Sequence, residues 1–217
     1  MTGKRKLILL CIAAAMIITL GGVGAYYWYH NAYFVSTEDA RVAGDFFPIT
    51  PEISGKLLEF DVKEGDSLIK DQIIGRIDAE GLADLRVDMS LLRAPISGLM
   101  IKKQAAAGGF VSAGTALAVM VDPNQLYISA NMKETELQKI KVGQKADVKI
   151  DQFKGQVFQG KVASIGEAAA SAFSLLPSSS GGTFTKVVQN VPVKIALEKT
   201  NVKLLPGTSA IVKVHIK

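Results

Sequence analysis

The sequence predicts a mainly β protein with three parts: an N-terminal transmembrane helix, a β-sandwich of two half-motifs, and a small antiparallel β-barrel. Three observations predict it: an uncharged apolar stretch opens the chain, a short motif recurs 43 residues further on, and short alternating strands with Gly and Pro turns fill the C-terminal part. The predicted boundaries are 1–6 for a cytoplasmic tail, 7–29 for the anchor, 30–45 for a membrane-proximal strand, 46–122 for the sandwich and 123–217 for the barrel.

The anchor is predicted from an apolar stretch, Leu7–Trp28, that contains no charged residue. As a helix it would span about 33 Å, which matches the hydrocarbon core of a bilayer. Lys4–Lys6 precede the stretch, so the positive-inside rule places the N-terminus in the cytoplasm. Tyr26–Tyr29 would form an aromatic belt at the outer interface. A cleaved signal peptide, with Val23 and Ala25 as the small residues before the cut, is the alternative, but the length of the stretch favours an uncleaved anchor.

The sandwich is predicted from an internal repeat. Ile53–Gly55 recurs as Ile96–Gly98, and the same offset places Gly65 on Gly108. Each copy has the pattern of three short strands with Gly turns. A β-unit this small cannot bury its apolar face alone, so the two copies are expected to pack against each other. The glycines predicted to form structural turns across the chain are Gly55, Gly65, Gly98, Gly108, Gly143 and Gly207.

Two segments of this region have recognisable periodicity. Leu58, Phe60 and Val62 alternate with charged residues, which predicts a half-buried strand. The two halves are joined by the connector 79–92, which is predicted to form a short helix or a structured loop because its apolar residues recur at helical spacing. Those residues are Leu82, Leu85, Met89 and Leu92.

The barrel is predicted from strict alternation in the C-terminal part. Ala146, Val148 and Ile150 alternate with charged residues, and similar strands follow after Gly- and Pro-marked turns. The long loop 166–190 interrupts them and is rich in Ala, Ser and Gly. A loop of this length is often functional, the alternative being a mobile connector. Its apolar part, Phe173–Pro177, suggests contact with a partner or with the membrane surface.

Composition excludes several classes of function. Three of the 25 basic residues flank the anchor, which leaves 22 against 20 acidic residues and no basic footprint for nucleic acid. The single cysteine, Cys11, lies in the apolar stretch, so no intramolecular disulfide is possible. His30 and His215 are far apart in sequence, so neither a metal cluster nor a catalytic pair is expected.

The charged side chains of the predicted barrel are most simply interpreted as residues of a solvent-exposed surface. The carboxylates are Glu134, Glu136, Asp147 and Asp151. The lysines are Lys139, Lys141, Lys145 and Lys149, for which contact with anionic lipid is the alternative.

The order of these parts resembles the HlyD/EmrA-type membrane fusion proteins, also called periplasmic adaptors. Ser36–Val42 resembles the entry strand of that family, and Ile53–Gly55 and Arg93–Gly98 resemble the starts of its two lipoyl half-motifs. The matching strings of the barrel part are Leu137–Val148 with Ile140–Gln144, Phe173–Pro177, Phe184–Gln189, Val191–Val193 and Leu205–Gly207. The resemblance covers nearly the whole chain and implies a lipoyl/biotinyl-like sandwich followed by a small barrel.

The connector is where the chain departs from the family, whose members insert a long α-helical hairpin between the two half-motifs. Here only Asp78–Leu92 occupies that place, and 15 helical residues cover only about 22 Å. Direct docking to an outer-membrane duct is therefore not expected.

Lipoyl-type domains carry biotin or lipoate on a Lys, but Ala79–Leu92 contains none, so no cofactor is expected.

The sequence and the resemblance together predict an adaptor subunit of an export or efflux complex in the inner membrane, and not an enzyme. Most of the chain would lie in the periplasm. The implied partners are an inner-membrane transporter (major-facilitator type favoured, ABC type as the alternative), further copies of the chain in a trimer or hexamer, and membrane lipid. The expected partner contacts are Phe173, Leu175, Leu176 and Phe184. The alternative function is a membrane-tethered envelope binding or signalling module without a transporter.

Overall fold

The computed structural model describes residues 3–78, 88–168, 188–198 and 202–217. These residues form two units. The barrel unit draws on 1–41, 128–200 and 208–217, and the sandwich unit on 42–127 and 201–207. In chain order the elements are α1 (Gly3–Tyr33), β1 (Phe34–Ala43), β2 (Phe46–Ile49), β3 (Gly55–Phe60), β4 (Ser67–Leu68), β5 (Ile73–Ile77), β6 (Leu91–Arg93), β7 (Gly98–Lys103), β8 (Phe110–Val111), β9 (Ala118–Val121), β10 (Tyr127–Lys133), α2 (Glu134–Leu137), β11 (Lys145–Ile150), β12 (Phe158–Ile165), β13 (Asn190–Leu197) and β14 (Ser209–His215).

The predicted anchor segment lies within α1, a continuous helix of 31 residues. The helix continues to Tyr33, so residues 31–33, expected to be extended, are helical. β1 begins at the next residue, Phe34, without a connecting loop.

In the part of the chain that the structure describes, no helix combines the length and the apolar character that a membrane crossing requires.

The barrel is closed by six strands in the order β1, β10, β13, β12, β11 and β14. Its interior is formed by the alternate residues of each strand, as the sequence predicts for β11, where Ala146, Val148 and Ile150 are all buried. β1, predicted as a separate membrane-proximal strand, instead closes the barrel between β14 and β10. The reason is that Val35 and Ala40 are buried and complete the apolar interior.

The sandwich unit consists of two four-stranded sheets, ordered β2-β9-β7-β4 and β6-β5-β3-β8. Exchanging β2 with β6, β3 with β7, β4 with β8 and β5 with β9 turns one order into the other, so the sandwich has an internal two-fold symmetry. The short strand of each half pairs with the long strand of the other half: β4 with β7, and β8 with β3. Neither half can complete its sheet alone.

Hydrogen bonds at the repeated motif obey the same symmetry. Ser54 Oγ accepts from the Ala113 backbone N–H at 2.9 Å, and Ser97 Oγ accepts from the Lys70 backbone N–H at 3.0 Å. Both donors and both acceptors are related by the 43-residue offset seen in the sequence. The repeated serine therefore fixes a loop of the opposite half in each case.

The glycines predicted as turns fall into two physical classes. Four have a left-handed φ of 89–93°, and a Cβ added to any of them would meet no heavy atom within 4 Å: Gly65, Gly108, Gly143 and Gly207. Gly55 and Gly98 instead begin strands. A Cβ on Gly98 would lie 2.3 Å from the backbone oxygen of Val121, and one on Gly55 would lie 2.8 Å from that of Asp78.

Two details of the predicted periodicity are wrong. The alternation predicts that Leu58 faces the core with Phe60 and Val62, but Leu58 is 41% exposed, because the β3–β5 register shifts between Leu57 and Glu59 and turns Leu57 inward instead. At the end of the connector, Met89 is exposed in a 3₁₀ turn and Leu92 is buried in β6, so these two residues do not share a helix face. Leu82 and Leu85 lie outside the described residues.

We predict that Gly98→Ala destabilises the protein more than Gly65→Ala. At Gly98 the added Cβ would meet backbone 2.3 Å away, so the strand must move, at a cost on the order of 2–3 kcal/mol. At Gly65 the space is open, and only the left-handed backbone costs energy, about 1 kcal/mol. Urea unfolding of the detergent-solubilised chain, followed by circular dichroism, measures both. Equal losses would contradict the close-approach argument.

Candidate docking surface at the helix end of the barrel

One end of the barrel is where α1 joins it, and we call this end the helix rim. It comprises residues 29–34, 133–145, 166–168, 188–190 and 215–217. The backbone N–H of Ile216 donates to the Tyr33 carbonyl at 3.0 Å, and Gln144 Nε2 donates to the Ile216 carbonyl at 3.5 Å. The helix end, the end of β14 and the loop before β11 are thereby joined side by side.

Aromatic and cationic side chains connect α1 to the rim. The rings of Tyr29 and Tyr33 stack with centroids 4.5 Å apart, and Phe34 meets His215 edge to face at 5.0 Å. Lys213 Nζ lies 3.8 Å from the Phe34 ring centroid, within the range of a cation–π contact. These contacts favour a fixed direction of α1 relative to the barrel.

A polar pair lies beside this aromatic contact. His215 Nε2 and Asp147 Oδ2 are 2.8 Å apart, and Gln159 Nε2 donates to Asp147 Oδ1 at 2.9 Å. Desolvation by burial raises the pKa of Asp147, but hydrogen bonds from His215 and Gln159, with the charges of His215 and Lys213, outweigh it and hold that pKa below its ordinary value of 3.8. Within the described residues no three His, Cys, Asp or Glu side chains approach closely enough to hold a metal ion.

The long loop of the barrel leaves from the helix rim and returns to it. Lys133, the last residue of β10, pairs with Asn190, and the backbone N–H of Glu134 donates to the Gln189 carbonyl at 2.9 Å. On the other side, the N–H of Gly166 donates to the Pro192 carbonyl at 2.8 Å. The predicted partner contacts between these flanks lie outside the described residues: Phe173, Leu175, Leu176 and Phe184.

The sandwich unit carries an apolar groove of about 570 Å³ that no sequence pattern predicted. Its apolar lining includes Phe46, Leu99, Ile101, Leu126, Leu205 and Pro206. The last two come from a segment near the C-terminus that the N–H of Gly207 holds to the Val42 carbonyl at 2.8 Å. The periodicity of a sequence indicates helices and strands. It does not indicate which distant strands and loops pack together, and the groove depends on that packing.

Both units match known protein families. Residues 46–123 match the barrel-sandwich hybrid domain of RND-type membrane fusion proteins. Residues 126–214 match the YknX-like beta-barrel domain.

Relatives with efflux-related names cover much of the chain. It is 39% identical over 182 residues to the "Putative efflux system component YhbJ" of Bacillus subtilis, a match covering 83% of this chain and 79% of that protein. It is 37% identical over 150 residues to the "Multidrug export protein EmrA" of Haemophilus influenzae, which covers 67% of this chain and 38% of that protein. The chain therefore spans less than half the length of this second relative.

Among solved structures, that of the periplasmic adaptor protein EmrA superposes with a TM-score of 0.56 at 14% identity. The superposition covers 84% of this chain and 98% of that one. At this identity the likeness concerns the fold alone.

We predict that Asp147→Asn lowers stability near neutral pH by about 1 kcal/mol or less, because the pair is partly exposed. The folded-state pKa of Asp147 lies below 3.8, so the wild type keeps this contribution above that value and loses it as pH falls through the folded pKa. The difference in free energy of unfolding between wild type and variant should therefore vanish in stronger acid. Urea titrations from pH 7 to about pH 2 measure it.

Asp151→Asn is the matched control for this prediction. Asp151 is an exposed carboxylate directly after β11, at the opposite end of the barrel, and its backbone N–H donates to the Ser209 carbonyl at 3.0 Å. Its carboxylate has no partner among the described residues. The control should leave stability unchanged across the same range. A difference between wild type and Asp147→Asn that persists below the folded pKa would contradict the pairing.

Proposed function

The chain belongs to the EmrA-type membrane fusion proteins, the periplasmic adaptors, and from this premise we propose that it is the adaptor subunit of an efflux transporter complex. The observation that carries the proposal is the 39% identity to a putative efflux system component across 83% of the chain. The adaptor would act by assembly and packing, without bond chemistry.

Anchoring of the chain by α1 is part of this proposal. Leu7–Trp28 contains no charged residue, Lys4–Lys6 precede it, and the whole stretch lies within one continuous helix. Tyr26, Tyr27 and Trp28 are each at least 66% exposed, as residues of an interfacial aromatic belt would be. The N-terminus would lie in the cytoplasm and both β-units on the far side of the inner membrane.

The helix rim is the face that we propose for the transporter. The two flanks of the long loop, Gly166 and Gln189, are held at this rim, beside the end of α1. A transporter in the same membrane would meet this end of the barrel first. The proposed contacts on the loop are Phe173, Leu175, Leu176 and Phe184. The EmrA resemblance favours a major-facilitator transporter over an ABC transporter.

Copies of the chain would assemble into a trimer or hexamer, because heterologous contacts that close on themselves make rings.

We do not propose that the chain contacts an outer-membrane duct. The connector enters the second half through a 3₁₀ turn at Asp88–Ser90, directly before β6. The stretch between β5 and β6 is too short to reach across a periplasm, since a helix gains only about 1.5 Å per residue.

We predict that replacing Phe173, Leu175, Leu176 and Phe184 by Ser abolishes association with the transporter while leaving the fold intact. The reason is that the variant lacks the apolar side-chain area that the wild type would bury against the transporter. Affinity purification of the tagged full chain from mildly solubilised native membranes, with mass spectrometry of the co-purified proteins, measures association. Circular dichroism checks the fold.

The matched control replaces four exposed apolar residues of the sandwich unit by Ser: Leu58, Ile69, Ile73 and Phe110. This variant should retain the transporter. If the wild type itself recovers no polytopic membrane protein, with crosslinking also silent, the adaptor proposal fails and a tethered envelope module replaces it.

A further inference from the structure

A lysine-rich loop lies at the helix rim, and we call residues 138–145 the lysine loop. Its side chains Lys139, Lys141 and Lys145 are exposed, and it contains no acidic residue. Val142 at its tip is 64% exposed, next to Gly143 with its left-handed φ of 90°. An apolar tip among lysines is the pattern of a surface that meets lipid headgroups.

The backbone of the lysine loop is held in place. Ile140 is buried, with 4% exposure, and fixes the loop to the barrel interior. Gln144 Oε1 accepts from the backbone N–H of Lys141 at 2.8 Å, and Gln144 Nε2 donates to the Lys139 carbonyl at 3.2 Å. The backbone of the loop is therefore preformed, which reduces the backbone entropy lost on binding.

The depth of the loop follows from the junction between α1 and β1. Tyr33 lies five positions after Trp28, a rise of about 8 Å along the helix. The headgroup layer on each side of a bilayer is roughly 5–8 Å thick. With Trp28 at the interface, Tyr33 would lie at the outer edge of the headgroups, and Gln144 is joined to Tyr33 through Ile216.

We infer that the lysine loop binds the anionic phospholipid headgroups of the membrane that holds α1, an inference that rests on the proposed anchoring. Lys139, Lys141 and Lys145 would supply the charge, and Val142 would enter the headgroup layer. Lys217 adds a further lysine to the rim, where its Nζ lies 5.3 Å from the Tyr33 ring centroid.

The acidic side chains near the lysine loop leave the positive charges of its lysines without an ion-pair partner among the described residues. The nearest along the chain are Glu136 on α2 and Asp147 on β11, and Asp147 is paired with His215. Across the described residues, the ion pairs of this unit join Lys161 to Glu198 and His215 to Asp147, and none involves a lysine of the loop. Contact with anionic lipid aligns the barrel on the membrane, and so presents the flanks of the long loop to a transporter beside it.

The test compares the full chain in nanodiscs of neutral phosphatidylcholine with the chain in nanodiscs containing about 30% phosphatidylglycerol, by hydrogen–deuterium exchange of peptides covering 138–145. We expect exchange to be slowed about threefold or more by the anionic lipid, and the slowing to disappear in 0.5 M salt because screening weakens surface charge. The variant K139Q/K141Q/K145Q should show no dependence on lipid charge.

A charge-matched control is K70Q/K149Q/K154Q, which removes three exposed lysines outside the helix rim and should keep the slowing. Equal exchange in both nanodiscs, with the chain inserted, would overturn the inference and leave the anchoring proposal standing. Failure of the chain to insert, judged by carbonate extraction, would overturn the anchoring and the inference together. Slowing that needs a co-reconstituted transporter, and not anionic lipid, would mean that the loop binds an acidic protein surface and would also overturn the inference.

Discussion

The direct passage of α1 into β1 fixes how the helix and the barrel are joined. α1 ends at Tyr33 and β1 begins at Phe34, with no residue between them. The backbone N–H of Ile216 donates to the Tyr33 carbonyl and so joins the end of the helix to the rim. A flexible linker would let the barrel turn freely on its anchor. Without one, whichever surface surrounds α1 also faces the helix rim. Under the proposed anchoring, this end of the barrel would meet the membrane and its proteins.

Pairing between its two halves stabilises the sandwich unit, which is small and contains no disulfide. Each half supplies a two-residue strand to the sheet of the other, and the repeated serine of each half holds a loop of its counterpart. The halves therefore have to fold together, since either alone leaves sheet edges unpaired and apolar faces exposed.

Features with strong local patterns were predictable from the sequence. The strict alternation around Val148 identified β11, and the repeated Ile-Ser-Gly identified the two-half sandwich. Features that depend on tertiary pairing were not. β1 joins the barrel because β10 and β14 leave a gap that Val35 and Ala40 fill, and Leu58 faces outward because of a register shift. The position of the rim, where α1, the lysine loop and the flanks of the long loop meet, likewise depends on strand order, which no periodicity encodes.

Photo-crosslinking in native membranes tests whether the helix rim is the end of the barrel that meets a transporter. A photoreactive amino acid at Val188, which is 51% exposed at the rim, is compared with one at Lys154, in the turn between β11 and β12 at the opposite end. We expect a crosslink to a polytopic membrane protein from Val188 and none from Lys154. The same crosslink from Lys154, with none from Val188, would rule out the helix rim as the transporter-facing end.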